Sequence, residues 1–453
     1  EIYTLSLHDA LPISTSVDEA IAGYGKTIQI FRQCTSANYQ QLIDKSQQAN
    51  LGDEEIIVVD NGRGIPVDKH SSGVSALEVV LTKLHAGGKF EETAYQASGG
   101  LHGVGSSAVN ALSTLMQVVV KRENKYHYLA LSQGKILDHV KIISEDEFRQ
   151  LFPQASIALI EKYQTGTLVS FVADKSIFST TKFHSKTLVE IIKDRAYLMA
   201  KIYFEYQDSV ADLNLHFYFE NGIRSLVEHL NRSKKPLHEV FYLTKNWRDE
   251  EKKKQIGVEI ALQYNDTYNE HLEAYANVIH TPDGGTHASG FRAALLRVIK
   301  DYADKNKLLK EKETFTSEDL REGLTAVVFV KMPANDLQFE SQTKAKLNNA
   351  EAHSAVYQVF KDGFNDFLEE NPKIGRIIID KILLAARARL AARAAKDAVI
   401  RKGVLDGGSL PGKLADCQSR KAEECEIYIV EGDSAGGDRK STRLNSSHQP
   451  LSR

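Results

Sequence analysis

At 453 residues the chain exceeds one ordinary domain, and the length prior suggests about three. Hydrophobic residues at 42% and charged residues at 26% give the balance of a globular protein, with no run near the ~20 apolar residues of a membrane span. A net charge of −3, from 57 basic and 60 acidic residues, excludes a globally basic nucleic-acid binder, so any such surface must be local. Cys34, Cys417 and Cys425 have neither metal-ligand nor disulfide spacing and read as free thiols of a reducing cytoplasm. The opening residues 1–14 lack a basic n-region, so no secretory signal is expected.

Residues 55–60 (EIIVVD) read as a buried strand closed by the glycine-rich turn 60–66 (DNGRGIP). Val74, Leu77, Leu81 and Leu84 recur at three- and four-residue spacing, which predicts an amphipathic helix over 74–86 that stops at Gly87 and Gly88. Next come SGGLHGVG at 98–105, a helix from about Ser106, and a strand at 117–121. Residues 166–174 (GTLVSFVAD) predict another strand, and Leu188, Ile191, Ile192, Ala196 and Met199 mark a helix. From about Gly222 a second unit begins. It holds a strand at 258–264, the turn TPDGGTH at 281–287, a helix after Phe291 and a strand at 325–332. A long helix over roughly 373–401 closes it. Arg389, Arg393 and Lys396 share one face of that helix and read, judged alone, as solvated charges. This mixed order predicts an α+β fold.

A nucleotide site must hold a base and phosphates and exclude water. Asp60, at the end of an apolar strand, can accept a hydrogen bond from adenine's exocyclic amine. Gly62 and Gly64 permit a sharp bend and leave room for a planar ring. Taken alone, this motif is more often a plain turn. Gly99, Gly100, Gly103 and Gly105 precede a helix, where exposed N–H groups suit phosphate oxygens. No Lys-Ser or Lys-Thr follows, so the motif is not a P-loop, and a glycine-rich hinge is the bland alternative.

The ordered set DNGRGIP, HAGGKF, SGGLHGVG and GTLVSF resembles the GHKL ATPase superfamily, whose Bergerat fold is an α/β sandwich. The resemblance implies that Asp60 reads adenine and that Thr167 supports it through a water. Arg63, Ile65 and Pro66 would complete the base side, with Arg122 where the family arginine meets coumarin inhibitors. Lys89 and Tyr95 would lie in a lid over ATP, and the backbone of Leu101, His102, Gly103, Val104 and Gly105 would hold the phosphates. Residues 339–347 (FESQTKAKL) resemble the transducer loop in the ATPase subunits of type IIA topoisomerases, which implies Lys344 at the γ-phosphate with Gln342 beside it. LPGKLADC and EIYIVEGDSAGG resemble the start of a Toprim domain, with Glu431 as its metal-holding or acid/base glutamate. Neither Hsp90-like nor MutL-like proteins join these last motifs. The DNA gyrase B family is therefore expected, with the corresponding ATPase family of topoisomerase IV as alternative.

Aligning residues 17–20 (VDEA) on the family's first helix puts Leu11 at the general-base Glu and Thr15 at the Mg²⁺-binding Asn. Leucine cannot take a proton from water, so hydrolysis by the chain as written is expected to be negligible. A nucleotide-binding module without catalysis is the reading from another functional class. Residues 1–15 and 438–453 read as foreign ends, 16–221 as the GHKL ATPase domain, 222–401 as an α/β transducer domain and 402–437 as the first strand of Toprim. The implied cofactors are ATP and Mg²⁺. The implied partners are DNA, a gyrase A-like cleavage protein and a second copy on ATP binding, with no membrane. Residues 32–54 are longer than the family's usual hairpin and read as a polar surface insertion.

Overall fold

A computed structural model describes residues 26–46, 49–69, 73–83, 105–152, 158–249, 254–310 and 313–406. Eight strands form the first sheet: β1 (Thr27–Cys34), β2 (Glu54–Asp60), β3 (Ser113–Arg122), β4 (Lys125–Ser132), β5 (Lys135–Ile143), β6 (Gly166–Ala173), β7 (Tyr203–Asp208) and β8 (Leu213–Phe217). Their order is β5-β4-β3-β6-β2-β1-β7-β8. Among the described residues of this sheet only the β1–β7 pair is parallel.

Alternation along the strands sends side chains to two faces. On one face Met116, Val118 and Val120 of β3 pack with Leu77 and Leu81 of the helix Ala76–Thr82. Ile30, Ile56, Phe204 and Tyr206 continue this layer beneath Ile192 and Ala196 of the helix Ser185–Leu198. On the other face Phe31, Ile57, Val59, Val119 and Leu168 meet Phe148 and Leu159 from the helices Glu145–Leu151 and Ala158–Lys162.

The segment read as a polar surface insertion roofs this second face: Tyr39, Leu42, Ile43 and Ala49 are buried there, around the helix Gln40–Ser46. The helix expected over 74–86 is formed at Ala76–Thr82; Val74 is exposed, Lys83 is extended, and residues 84–86 lie outside the described residues. Ile191 is exposed, because Leu188, Ile192 and Ala196 at four-residue intervals make the buried stripe without it.

The second sheet has strands β9 (Phe241–Asp249), β10 (Lys254–Tyr264), β11 (His271–Ala276), β12 (Ile279–His280) and β13 (Leu324–Lys331), ordered β12-β11-β13-β10-β9. Its central strands bury both faces, which explains the continuous apolar run in β13. Ala326, Val328 and Val330 face the helices Thr286–Lys305, Ala350–Glu370 and Pro372–Asp406. Val327 and Phe329 face the helix Ile223–Asn231 together with Tyr197 and Leu198 from the first unit. The two units thus share an apolar seam. Arg389, expected as a solvated charge, forms a two-pronged ion pair with buried Asp319 at 2.8 and 3.0 Å, while Arg393 and Lys396 are exposed. No helix among the described residues is long and apolar enough to cross a membrane.

Candidate functional site

Strand register builds the first half of the site. Asp60, the last residue of β2, lies opposite Thr167 of β6, which lies opposite Val120 of β3. Residues directly opposed in a ladder share a face, so this row stands on the face packed by the helix Ala76–Thr82. β1 flanks Asp60 on its other side through Ile28. Asn61 then pins the chain as it leaves the sheet, its Oδ1 accepting the Thr27 N–H at 2.9 Å.

Asp60 Oδ1 accepts the Gly62 N–H at 2.8 Å, and among the described residues Oδ2 accepts no hydrogen bond. Burial raises the Asp60 carboxyl above its ordinary value, and the Gly62 N–H opposes that shift. One carboxylate oxygen is thus committed to the turn while the other can take a donor such as an amine. Gly64 is buried with φ of +75°, and a Cβ there would press on Val120 and Arg122 at 3.0 and 3.1 Å. Only glycine lets this turn lie against the end of β3. Ile65 packs under the turn with Leu77 and Val120, while Arg63 and Pro66 are exposed. Thr167 is buried and Arg122 half-buried.

Gly105 opens the short helix Gly105–Ala111. Asn110 Nδ2 donates to the Leu81 carbonyl at 2.9 Å and Ser106 Oγ to the Val80 carbonyl at 3.2 Å, locking this helix beside Ala76–Thr82. Lys89, Tyr95, Gly99, Gly100, Leu101, His102, Gly103, Val104, Leu11, Thr15 and Glu431 lie outside the described residues.

Gln342 and Lys344 belong to the second unit, on a loop closed by the Phe339–Leu347 bridge and by the Glu340–Lys346 ion pair at 2.9 Å. Lys344 has φ of +59°, and its N–H donates to the Ser341 carbonyl at 3.1 Å. The structure therefore gathers Asp60, Gly62, Gly64, Arg122 and Thr167 at one sheet end and sets Gln342 and Lys344 on a separate loop. As sequence, TPDGGTH reads as a simple turn, yet in the fold it is the platform for that loop. Two consecutive glycines before a helix are the available signal.

Residues 14–142 match the family described as histidine kinase-, DNA gyrase B-, and HSP90-like ATPase, so the eight-stranded unit is a GHKL ATPase domain. Residues 222–398 match the family described as DNA gyrase B. The chain is 42% identical to the DNA gyrase B protein of Enterococcus faecalis over 437 residues, covering 95% of this chain and 62% of that one. It is 45% identical to that of Staphylococcus epidermidis over 439 residues, covering 95% and 61%. The crystal structure of the 43K ATPase domain of Thermus thermophilus gyrase B, in complex with an aminocoumarin, superimposes with a TM-score of 0.62 at 34% identity. That match covers 84% of this chain and 89% of that one.

The chain belongs to the DNA gyrase B family. It spans 62% of the length of the Enterococcus relative. These relatives favour gyrase over the topoisomerase IV alternative.

Proposed function

We propose that the first unit binds ATP, with adenine against the Asp60–Thr167 row and the triphosphate running toward Gly105 and the lid. The observation that carries this reading is the Asp60 carboxylate, raised by burial, with Oδ1 tied to Gly62 and Oδ2 taking no bond from a described residue. An exocyclic amine is a fitting donor to that oxygen. Glycines at 62 and 64 let the turn lie close to Asp60 and the end of β3, where a Cβ would press on Asp60 Oδ1, Val120 and Arg122. Lys89, Tyr95, Gly99, Gly100, Leu101, His102, Gly103 and Val104 enter as lid and phosphate contacts by resemblance. Lys344, with Gln342 beside it, supplies positive charge to the γ-phosphate oxygens, where charge develops during phosphoryl transfer.

Among the described residues no cluster of three or more His, Cys, Asp or Glu side chains could hold a metal ion. Mg²⁺ is proposed to accompany the nucleotide; Thr15, at the position of its family ligand, and Glu431 lie outside the described residues, and no step is drawn through the ion. In the complete protein the activity is that of the ATP-hydrolysing component of a type IIA DNA topoisomerase in the cytoplasm. ATP binding joins two copies, gates the passage of DNA and works with a gyrase A-like cleavage protein. Glu431 belongs to the Toprim part of that activity.

The test is calorimetric titration of a non-hydrolysable ATP analogue into the 453-residue chain and into Asp60→Asn. An amide at this position mixes donors with acceptors, so affinity should fall about tenfold. Equal affinity for both chains would remove Asp60 from the site.

A further inference from the structure

The loop bearing Lys344 rests on the 281–287 turn through backbone groups. Asp283 N–H donates to the Ala345 carbonyl at 3.0 Å, Leu347 N–H to the Gly284 carbonyl at 3.1 Å, and Thr286 N–H to the Leu347 carbonyl at 3.0 Å. Gly285 has φ of +132°, and a Cβ there would overlap the Leu347 backbone. The turn in turn hangs on Thr281, whose N–H and hydroxyl both donate to the Ala274 carbonyl of β11, at 2.9 and 2.8 Å. Gly284 N–H closes the turn on the Thr281 carbonyl at 2.8 Å.

His287 is fully buried behind this turn, with Nε2 3.2 Å from the Thr281 hydroxyl oxygen. That hydroxyl has already given its one proton to Ala274, so Nε2–H must be the donor and Thr281 Oγ1 the acceptor. Nδ1 is then a bare acceptor, and it has no hydrogen-bond partner among the described residues. Burial pushes the His287 pKa down to about 4, which keeps the ring neutral in this single tautomer near neutral pH. A buried polar ring with one bond is costly, and a smaller apolar residue would fill the place at lower cost if packing were the only demand.

We propose that His287 is a positioning residue for Lys344. Through Thr281 it fixes the Gly284–Gly285 turn, the turn fixes the 339–347 loop, and the loop sets where the Lys344 amine stands relative to a γ-phosphate. The role in phosphate recognition rests on the reading of Lys344 given under Proposed function.

The experiment uses the 453-residue chain with His287→Leu, His287→Gln, Thr281→Val, Lys344→Ala and the His287→Leu/Lys344→Ala pair. Amide hydrogen exchange at Asp283 and Leu347 reads the docking, and calorimetry with ADP and a non-hydrolysable ATP analogue reads the phosphate contact. His287→Leu and the near-isosteric Thr281→Val should each speed exchange at both amides about tenfold, the effect of losing one buried hydrogen bond. Both should also lower the preference for the triphosphate over ADP by about fivefold to tenfold, with ADP affinity unchanged. His287→Gln, which keeps an N–H near the Nε2 position, should behave as the parent. In the Lys344→Ala background His287→Leu should remove no further preference, because the two act as one unit.

Unchanged exchange overturns the proposal. So does an equal loss for ADP and the analogue, or a loss that adds to that of Lys344→Ala. A parent chain that binds neither nucleotide counts against the ATP reading instead. The exchange result then decides the docking alone, acceleration supporting it and no change overturning it.

Discussion

The two halves of the site are held in different ways. Asp60 ends a strand hydrogen-bonded on both sides, to β1 along seven residue pairs and to β6 along six. It cannot shift without moving a whole register, which would turn every side chain of β2 to the wrong face. Lys344 stands on a loop docked by three backbone bonds to one turn, with two glycines at positive φ and one buried histidine behind it. Such a contact can loosen without unfolding the sheet beside it. On the proposed ATP reading, base recognition would be rigid and inherited from the fold, whereas γ-phosphate recognition would rest on a small, adjustable platform. An ATPase that must distinguish ATP from ADP would gain from that division, because the adjustable half is the one proposed to meet the extra phosphate.

The largest expected effect tests whether these two halves suffice for chemistry. The resemblance places Leu11 at the family's general-base position and Thr15 at its Mg²⁺-ligand position, so Leu11→Glu with Thr15→Asn should raise steady-state phosphate release by about 10²–10⁴-fold. Equal turnover of the two chains would mean that another residue activates water. Next, Gly285→Ala should cost about 2–3 kcal/mol in urea unfolding, from strained φ and backbone overlap. It should weaken the triphosphate analogue while sparing ADP, and comparable weakening of both would erase the contrast between the halves.

The pH response should separate them further. His287 titrates near 6.5 unfolded and about 4 folded, so its contribution is full above pH 6.5 and is lost as pH falls from there toward 4. His287→Gln should flatten that part of the melting-temperature profile. Glu273 is held down to about 2, first by hydrogen bonds from His271 and His280, so its contribution is lost between pH 4.5 and about 2. Asp60 has the opposite sign. Its raised folded pKa means that its charged form opposes folding at neutral pH. The smallest predicted effect follows: Asp60→Asn should raise the melting temperature slightly while weakening ATP binding, a trade expected where function rather than stability sets the residue. A destabilised Asp60→Asn chain would make Asp60 a structural group.

Periodicity and turn chemistry make much of the fold legible. EIIVVD ending in DNGRG, the strand at 166–174 and the apolar run at 325–332 are all strands, because buried strands with glycine punctuation leave a local signal. The roof around Tyr39 is not legible. Its four buried residues, Tyr39, Leu42, Ile43 and Ala49, are scattered among Gln, Ser, Asn and Lys, and their shared face exists only once the sheet is there to receive it. Arg389 misleads for a similar reason, since Asp319 lies seventy residues before it in the chain. The Gly284–Gly285 platform shows the same limit within the site. The glycines announce a turn, but nothing local says that it carries a loop some sixty residues further along. Whatever depends on a register or a local turn can be read in advance; whatever depends on docking between distant segments cannot.

If Asp60 meets the exocyclic amine of adenine, as proposed, the chain must be selective between purines. Guanine presents a carbonyl oxygen where adenine presents that amine, so the parent chain should bind non-hydrolysable ATP well above the corresponding GTP analogue. Asp60→Asn, whose amide can turn a donor toward that carbonyl, should collapse the preference by about tenfold or more. Calorimetric affinities for both analogues on both chains decide the matter. A parent chain indifferent to the purine, or a preference that survives Asp60→Asn intact, would contradict the account.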